Sequence, residues 1–189
     1  MSRATVLKGR VLSFNGDPSV DGEQAISFWD RGTVVIKDGL ISAVGDNFPL
    51  SDTAQLTDYG NHLICAGFVD GHAHYPQINV IASYGAQLLE WLNTYTFPEE
   101  LRFSDPSIAR EASGFFLDEL LKNGFTTAAV YCTSHPVSVD AFFTEASERN
   151  LRMIAGKVLM DRHAPEGLLD SAQSGYDQSQ ALIDRWHGR

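Results

Sequence analysis

Leu63-Ile64-Cys65-Ala66-Gly67-Phe68-Val69-Asp70-Gly71-His72-Ala73-His74 is the stretch on which the fold turns. Its apolar run reads as a short buried strand that ends at Gly71. On a strand, side chains two apart point to the same side, with Cα atoms about 6.5–7 Å apart. His72 and His74 therefore emerge together just past the run, where two imidazoles can converge on one metal ion with Zn–N bonds of about 2.0–2.1 Å. A barrel strand places its reactive groups at that end. A bare His-x-His pair says little, because two nearby histidines are also ordinary surface or core residues. The apolar run together with Gly67, Asp70 and Gly71 is what favours the metal reading.

Downstream of Gly67 the pattern alternates strand, loop and helix. Thr126–Tyr131 and Arg152–Leu159 read as the second and third strands. Ahead of the second, Asp105-Pro106 supplies an N-cap and a first-turn proline, and Gly124 stops the helix after Asn123. Ile108, Ala112, Phe115, Phe116, Leu120 and Leu121 recur at helical spacing and predict one apolar stripe. Two more helices are expected from about Ser138 to Arg149 and from about Gly175 to Trp186. Strands alternating with helices imply parallel βα units. About 30 residues, Tyr75 to Ser104, separate the first strand from its helix, which is long for a compact domain and marks a candidate functional loop. Its Tyr75, Tyr84, Trp91, Tyr95 and Phe97 either line a pocket or pack against the barrel rim or a second subunit. Ala86 to Asn93 reads as a short helix within it.

Upstream, residues 1–66 read as a small all-β unit. Thr5–Phe14 and Gly32–Gly45 are alternating runs, Asp38-Gly39 is a hairpin signal inside the second, and Asp17 to Glu23 is the loop between the first two strands. The fold expected is α/β, an incomplete (β/α)8 TIM-type barrel over 67–189 preceded by a partial small β-sandwich over 1–66. A complete barrel needs about 250 residues, so residues 67–189 have room for three βα units and the reading is the N-terminal part of a longer enzyme.

With 43% hydrophobic and 20% charged residues, the 189-residue chain can bury a substantial core. A formal charge of −10 argues against nucleic acid as a partner. The N-terminus lacks the apolar core of a signal peptide and no run approaches transmembrane length, so no membrane association is expected. Cys65 and Cys132 lie in apolar stretches and read as buried reduced thiols, a usage that fits the cytoplasm.

Ala66–His74 resembles the first metal motif of the amidohydrolase superfamily, metal-dependent hydrolases and deaminases built on a β/α barrel. His74-Tyr75-Pro76-Gln77, Tyr84-Gly85, Leu88–Pro98, Asn123–Thr127 and Gly156–Arg162 resemble, within it, the guanine deaminase family. That resemblance implies hydrolytic deamination of guanine to xanthine and ammonia, one Zn²⁺ per subunit with His72 and His74 among its ligands, and a homodimer. It places the other ligands, a glutamate proton shuttle and an Arg-Phe purine grip beyond Arg189. Gln77 matches the position that hydrogen-bonds guanine, and a carboxamide offers both the donor and the acceptor that a purine edge requires. Trp91 is a further substrate-binding candidate.

His135 has two readings, a pocket residue or a helix cap. Lys157 invites comparison with the carbamylated lysine of hydantoinases and dihydroorotases, but its mid-strand place makes it structural. Asp161 is either a support for the site or an ordinary loop or cap residue, and His62, His163 and His187 read as surface histidines. Rival functions are a related deaminase or cyclic amidohydrolase acting on cytosine, adenosine or a triazine, or a non-catalytic interaction module. Gln77 and Leu89-Glu90-Trp91 speak against the first.

Overall fold

Alternating apolar residues and a two-residue turn build the first part of the chain. In the computed structural model, which describes residues 4–46, 48, 54–85 and 87–189, β1 (Thr5–Phe14), β2 (Ile26–Lys37), β3 (Leu40–Asp46) and β4 (Gln55–Ile64) form one sheet in the order β3-β2-β1-β4. β1 pairs antiparallel with β2 and parallel with β4, and β2 pairs antiparallel with β3. Asp38 and Gly39 join β2 to β3 with φ of 52° and 77°, the two positive values that a type I′ turn requires. Val6, Val11 and Val34 are buried. A sandwich needs a second sheet, and the described residues of this part form a single one.

Two local expectations change here. β2 begins at Ile26, ahead of the expected run. The loop after β1 holds a short helix, α1 (Pro18–Asp21), and a 3₁₀ turn over Gly22–Ala25. Asp17 starts α1 by accepting a hydrogen bond from the Ser19 backbone N–H at 2.8 Å, so cap chemistry orders a segment whose composition reads as loop.

The chain divides into two units, 1–66 and 67–189. The second carries β5 (Phe68–His74), β6 (Phe125–Tyr131) and β7 (Arg152–Gly156), a parallel sheet in the order β5-β6-β7. The run from Leu63 to Gly71 is therefore not one buried strand. Leu63 and Ile64 finish β4, residues 65–67 break the extended pairing, and β5 starts afresh with Phe68 and Val69 exposed. His72 and His74 lie within the last residues of β5 rather than past its end. Gly67 sits where a Cβ would meet the Thr126 side chain at 2.2 Å, so this approach of the chain to β6 admits only glycine. Cys65 falls in the break and is exposed, contrary to expectation, whereas Cys132 just after β6 is buried.

Between β5 and β6 run a 3₁₀ turn (Tyr75–Val80), α2 (Leu88–Trp91), a π-helical turn (Leu92–Thr96), α3 (Phe97–Leu101) and α4 (Pro106–Lys122). The long loop is thus mostly helical. Its expected helix appears as α2 and continues into the π turn, while Ala86 lies outside the described residues. Asp105 caps α4 by accepting from the Ser107 N–H at 2.8 Å, and Gly124 leaves the helix with φ of 84°. The buried line of α4 is Ala109, Ala112, Ser113, Leu117 and Leu120. Phe115 and Leu121, assigned to the stripe from spacing, are exposed. The helix is rotated so that its small residues pack inward.

α5 (Pro136–Glu148) and α6 (Ala172–Trp186) follow β6 and β7, and β7 stops at Gly156, short of the expected Leu159. Tyr75, Phe103, Leu117 and Phe142 are fully buried at the centre of this unit. Glu145 ties α5 to α4 by accepting from Arg110 Nε at 2.6 Å, and it also accepts from Arg149 Nη1 at the end of its own helix at 2.5 Å. Among the described residues no helix is long and apolar enough to cross a membrane.

Burial pushes the Cys132 thiol far above the ordinary thiol range, so the two cysteines should separate chemically. Under native conditions at pH 8, a thiol-disulfide chromophore is expected to titrate Cys65 rapidly and Cys132 only after denaturant is added. Two rapidly reacting thiols would contradict the packing around Cys132.

Candidate active site

The site grows from the C-terminal edge of the parallel sheet. His72 and His74 share one face of β5, and the strand register sets His74 beside Tyr131, the last residue of β6. The two imidazole Nε2 atoms lie 3.2 Å apart. Two Zn–N bonds of about 2.05 Å meeting at the tetrahedral angle hold their nitrogens roughly 3.3 Å apart, so the pair already has the spacing of a chelate. Asp70 fixes the backbone between them and the strand body, its Oδ1 accepting from the His72 N–H at 3.0 Å. The Tyr131 ring stacks on His74 with centroids 4.8 Å apart and planes 14° from parallel, and it also stands 5.0 Å from the His72 ring. Burial, with the adjacent His72 charge, holds the His74 pKa below its ordinary value. That favours the neutral imidazole, which is the ligand form. Among the described residues no group of three or more His, Cys, Asp or Glu is placed to share one ion. His72 and His74 supply two imidazole donors.

Gln77 sits on the 3₁₀ turn that follows β5. Its Nε2 lies 3.5 Å from His74 Nδ1 and donates to Glu100 Oε1 at 3.2 Å. Glu100 is buried on α3; burial raises its pKa and the Gln77 hydrogen bond opposes that rise. The preceding Glu99 accepts from Asn79 Nδ2 at 2.7 Å and from Arg102 Nη1 at 2.8 and 2.7 Å. Two successive carboxylates of α3 thus grip two amides of the turn. Trp91 Nε1 donates to Ser83 Oγ at 2.7 Å. The Trp91 ring joins His72, His74 and Gln77 in lining a cavity of about 740 Å³. Phe115, Phe116 and Phe125 also line it.

His135 is not among the residues that line this cavity. Its Nδ1 meets Thr133 Oγ1 at 3.1 Å and its Nε2 meets the Gly167 carbonyl at 3.0 Å, so both ring nitrogens are occupied in joining the loops after β6 and β7. His135 is also the N-cap residue of α5, although no side-chain hydrogen bond caps that helix. Lys157 lies just past β7, not mid-strand; its buried ammonium pairs with Asp170 Oδ1 at 2.6 Å and Gln178 Oε1 at 2.6 Å. Asp161 is exposed beside Arg162, 3.4 Å away, and His62, His163 and His187 are exposed.

Tyr75 is core rather than pocket, Phe97 is buried, and Tyr84 is exposed. Sequence reasoning missed Tyr131 and Glu100. Aligning β5 and β6 at their C-terminal ends pairs His74 with Tyr131 and is the signal that could have found the first. Glu100 has no periodic or motif signal, since it becomes a buried acid only when α3 folds back onto the turn.

A model of the Amidohydrolase family matches residues 63–188. The chain is similar to the guanine deaminase of Escherichia coli (strain K12), 52% identical over 167 residues that make up 86% of this chain and 38% of that protein. It is similar in structure to E. coli guanine deaminase, with a TM-score of 0.90 and 44% identity over 100% of this chain and 44% of that one. A guanine deaminase from C. acetobutylicum with guanine bound in its active site matches with a TM-score of 0.84 and 27% identity, over 99% of this chain and 44% of that one. The chain spans about two fifths of the length of curated relatives that it matches.

The geometry gives His74 a pH signature. In the metal-free protein its imidazole resonances should titrate with a midpoint below the ordinary 6.5. His72→Ala should raise that midpoint by removing the neighbouring charge. The sign for folding follows: His74 supports the fold fully above its unfolded pKa, and that support is lost as pH falls from there toward the lowered folded value. A midpoint at or above 6.5 for His74 would contradict the burial assigned to it.

Proposed function

The chain belongs to the amidohydrolase family, and from that premise we propose that it provides part of a guanine deaminase, which converts guanine and water to xanthine and ammonia. The observation that carries the reading is the meeting of the His72–His74 pair, Gln77 and Trp91 on one cavity. It is supported by the 52% identity to a guanine deaminase. In this reading the parallel βα units open a β/α barrel, and the sheet of residues 4–64 belongs to a β-sandwich.

The metal we infer is zinc, which when bound makes water acidic enough to serve as a nucleophile near neutral pH. His72 and His74 would hold it through their Nε2 atoms. The stacked Tyr131 keeps the His74 ring from turning away, so little side-chain freedom is left to lose when the ligand set closes. Gln77 would meet a polar edge of the purine and orient the ring so that C2, which bears the exocyclic amine, faces the nucleophile. Trp91, tethered to Ser83, would cover part of the ring and exclude bulk water. Attack at C2 gives a tetrahedral carbon, and the amine leaves as ammonia once protonated. The proton shuttle and remaining ligands expected beyond Arg189 are part of the same proposal.

A homodimer also belongs to it, supported by the exposed Ile81, Tyr84, Leu88 and Leu89 on the connection after β5. Cytoplasmic residence is supported by the two free thiols, one of them exposed.

In the metal-loaded full protein, His74→Ala is expected to remove bound metal and guanine turnover together, by metal analysis and by ammonia release. Gln77→Ala should keep its metal while losing roughly 5- to 150-fold in kcat/KM, the effect of about 1–3 kcal/mol from an unpaired polar edge. Full metal content in His74→Ala would remove the metal assignment. Unchanged guanine kinetics in metal-replete Gln77→Ala would remove the substrate one.

A further inference from the structure

We propose that Glu100 is a positioning residue that fixes which end of the Gln77 carboxamide faces the cavity, committing Nε2 to protein and leaving Oε1 for the substrate. The two ends of a carboxamide are nearly equal in size, so shape alone does not choose between them. Chemistry does. Glu100 is 5% exposed and, as a carboxylate, can only accept hydrogen bonds. With Nε2 toward Glu100 Oε1 the contact is a donor on an acceptor at 3.2 Å. Turned over, it would set two oxygens against each other with little water to separate them, a costly arrangement in a buried place.

The surroundings keep Glu100 from evading the choice. Glu99 accepts from Asn79 on the turn that bears Gln77, which anchors α3 against it, and Arg102 holds the same carboxylate in place from the end of the helix. The other polar neighbour of Nε2 is His74 Nδ1 at 3.5 Å, too distant to outweigh the carboxylate. Oε1 is then the polar end left for a ligand, and it is an acceptor only. The edge that Gln77 reads must therefore present an N–H. This rests on the guanine reading above and narrows it: guanine has N–H groups on its pyrimidine ring, its exocyclic amine and its imidazole ring, and the contacted position must be one of these.

The test is a double-mutant cycle in the metal-loaded full protein, with guanine as probe. Glu100→Gln is nearly isosteric but restores both amide orientations. We expect kcat/KM to fall by about twofold, mainly through KM, because about half of the amides then present the wrong end, with metal content and melting temperature retained. In a Gln77→Ala background the same change should leave kcat/KM unchanged, because Glu100 then has nothing to orient. Equal losses in both backgrounds would overturn the proposal, since Glu100 would be acting elsewhere.

A second measurement needs no variant to fold and no turnover. In ¹⁵N spectra of the unmodified protein, the Gln77 side-chain amide should resist hydrogen exchange. A freely exchanging amide overturns the proposal even where guanine is deaminated. A protected amide in a protein that does not deaminate guanine supports the positioning role and removes the guanine reading alone.

Discussion

The burial of Tyr75 is the constraint on which the second unit depends. Tyr75 follows His74 directly, is fully buried, and donates its hydroxyl to the Ser138 carbonyl at 2.7 Å. Its ring packs edge-on to Phe103 at 5.4 Å and tilted against Phe142 at 5.3 Å. One side chain thereby pins the end of β5 to the start of α5 and to the segment leading into α4. The hydroxyl makes the placement directional, because a phenol without a partner at that depth carries the penalty of an unsatisfied polar group. Burial raises the Tyr75 pKa well above the usual range, so the group stays a neutral donor. His74 inherits its position from this anchor, one residue upstream.

Features set by local chemistry were legible in the sequence. Asp105 and Gly124 bound α4 because capping and positive φ are decided within a few residues. Asp38-Gly39 makes a hairpin for the same reason. What depends on the partner surface was not legible. The spacing on α4 admits more than one phase, and the sheet selects the one that buries Ala109 and Leu117 while leaving Phe115 outside. The run through Leu63 and Val69 is continuously apolar, yet it feeds two sheets, and Cys65 is exposed because it lies in the passage between them.

The candidate site divides along the same line. His72, His74, Gln77 and Trp91 are close in sequence and share a cavity, so motif reading reached them. Tyr131 comes from the neighbouring strand and Glu100 from a helix that folds back across the turn. His135 shows the converse, a histidine near the strand ends whose ring is consumed by Thr133 and Gly167.

The pairing of His74 with Tyr131 is a matter of strand register as much as of side chains. Side chains alternate across a strand, so a slip of β6 by one residue against β5 would turn Tyr131 to the opposite face and bring Val130 or Cys132 beside the imidazole. Backbone pairing in a parallel sheet can survive such a slip, whereas the ring that steadies His74 cannot. Register is ordinarily enforced by packing alone. Here an error of alignment would leave a sheet with its hydrogen bonds intact and its histidine pair unsupported, so the fidelity of folding becomes readable as chemistry.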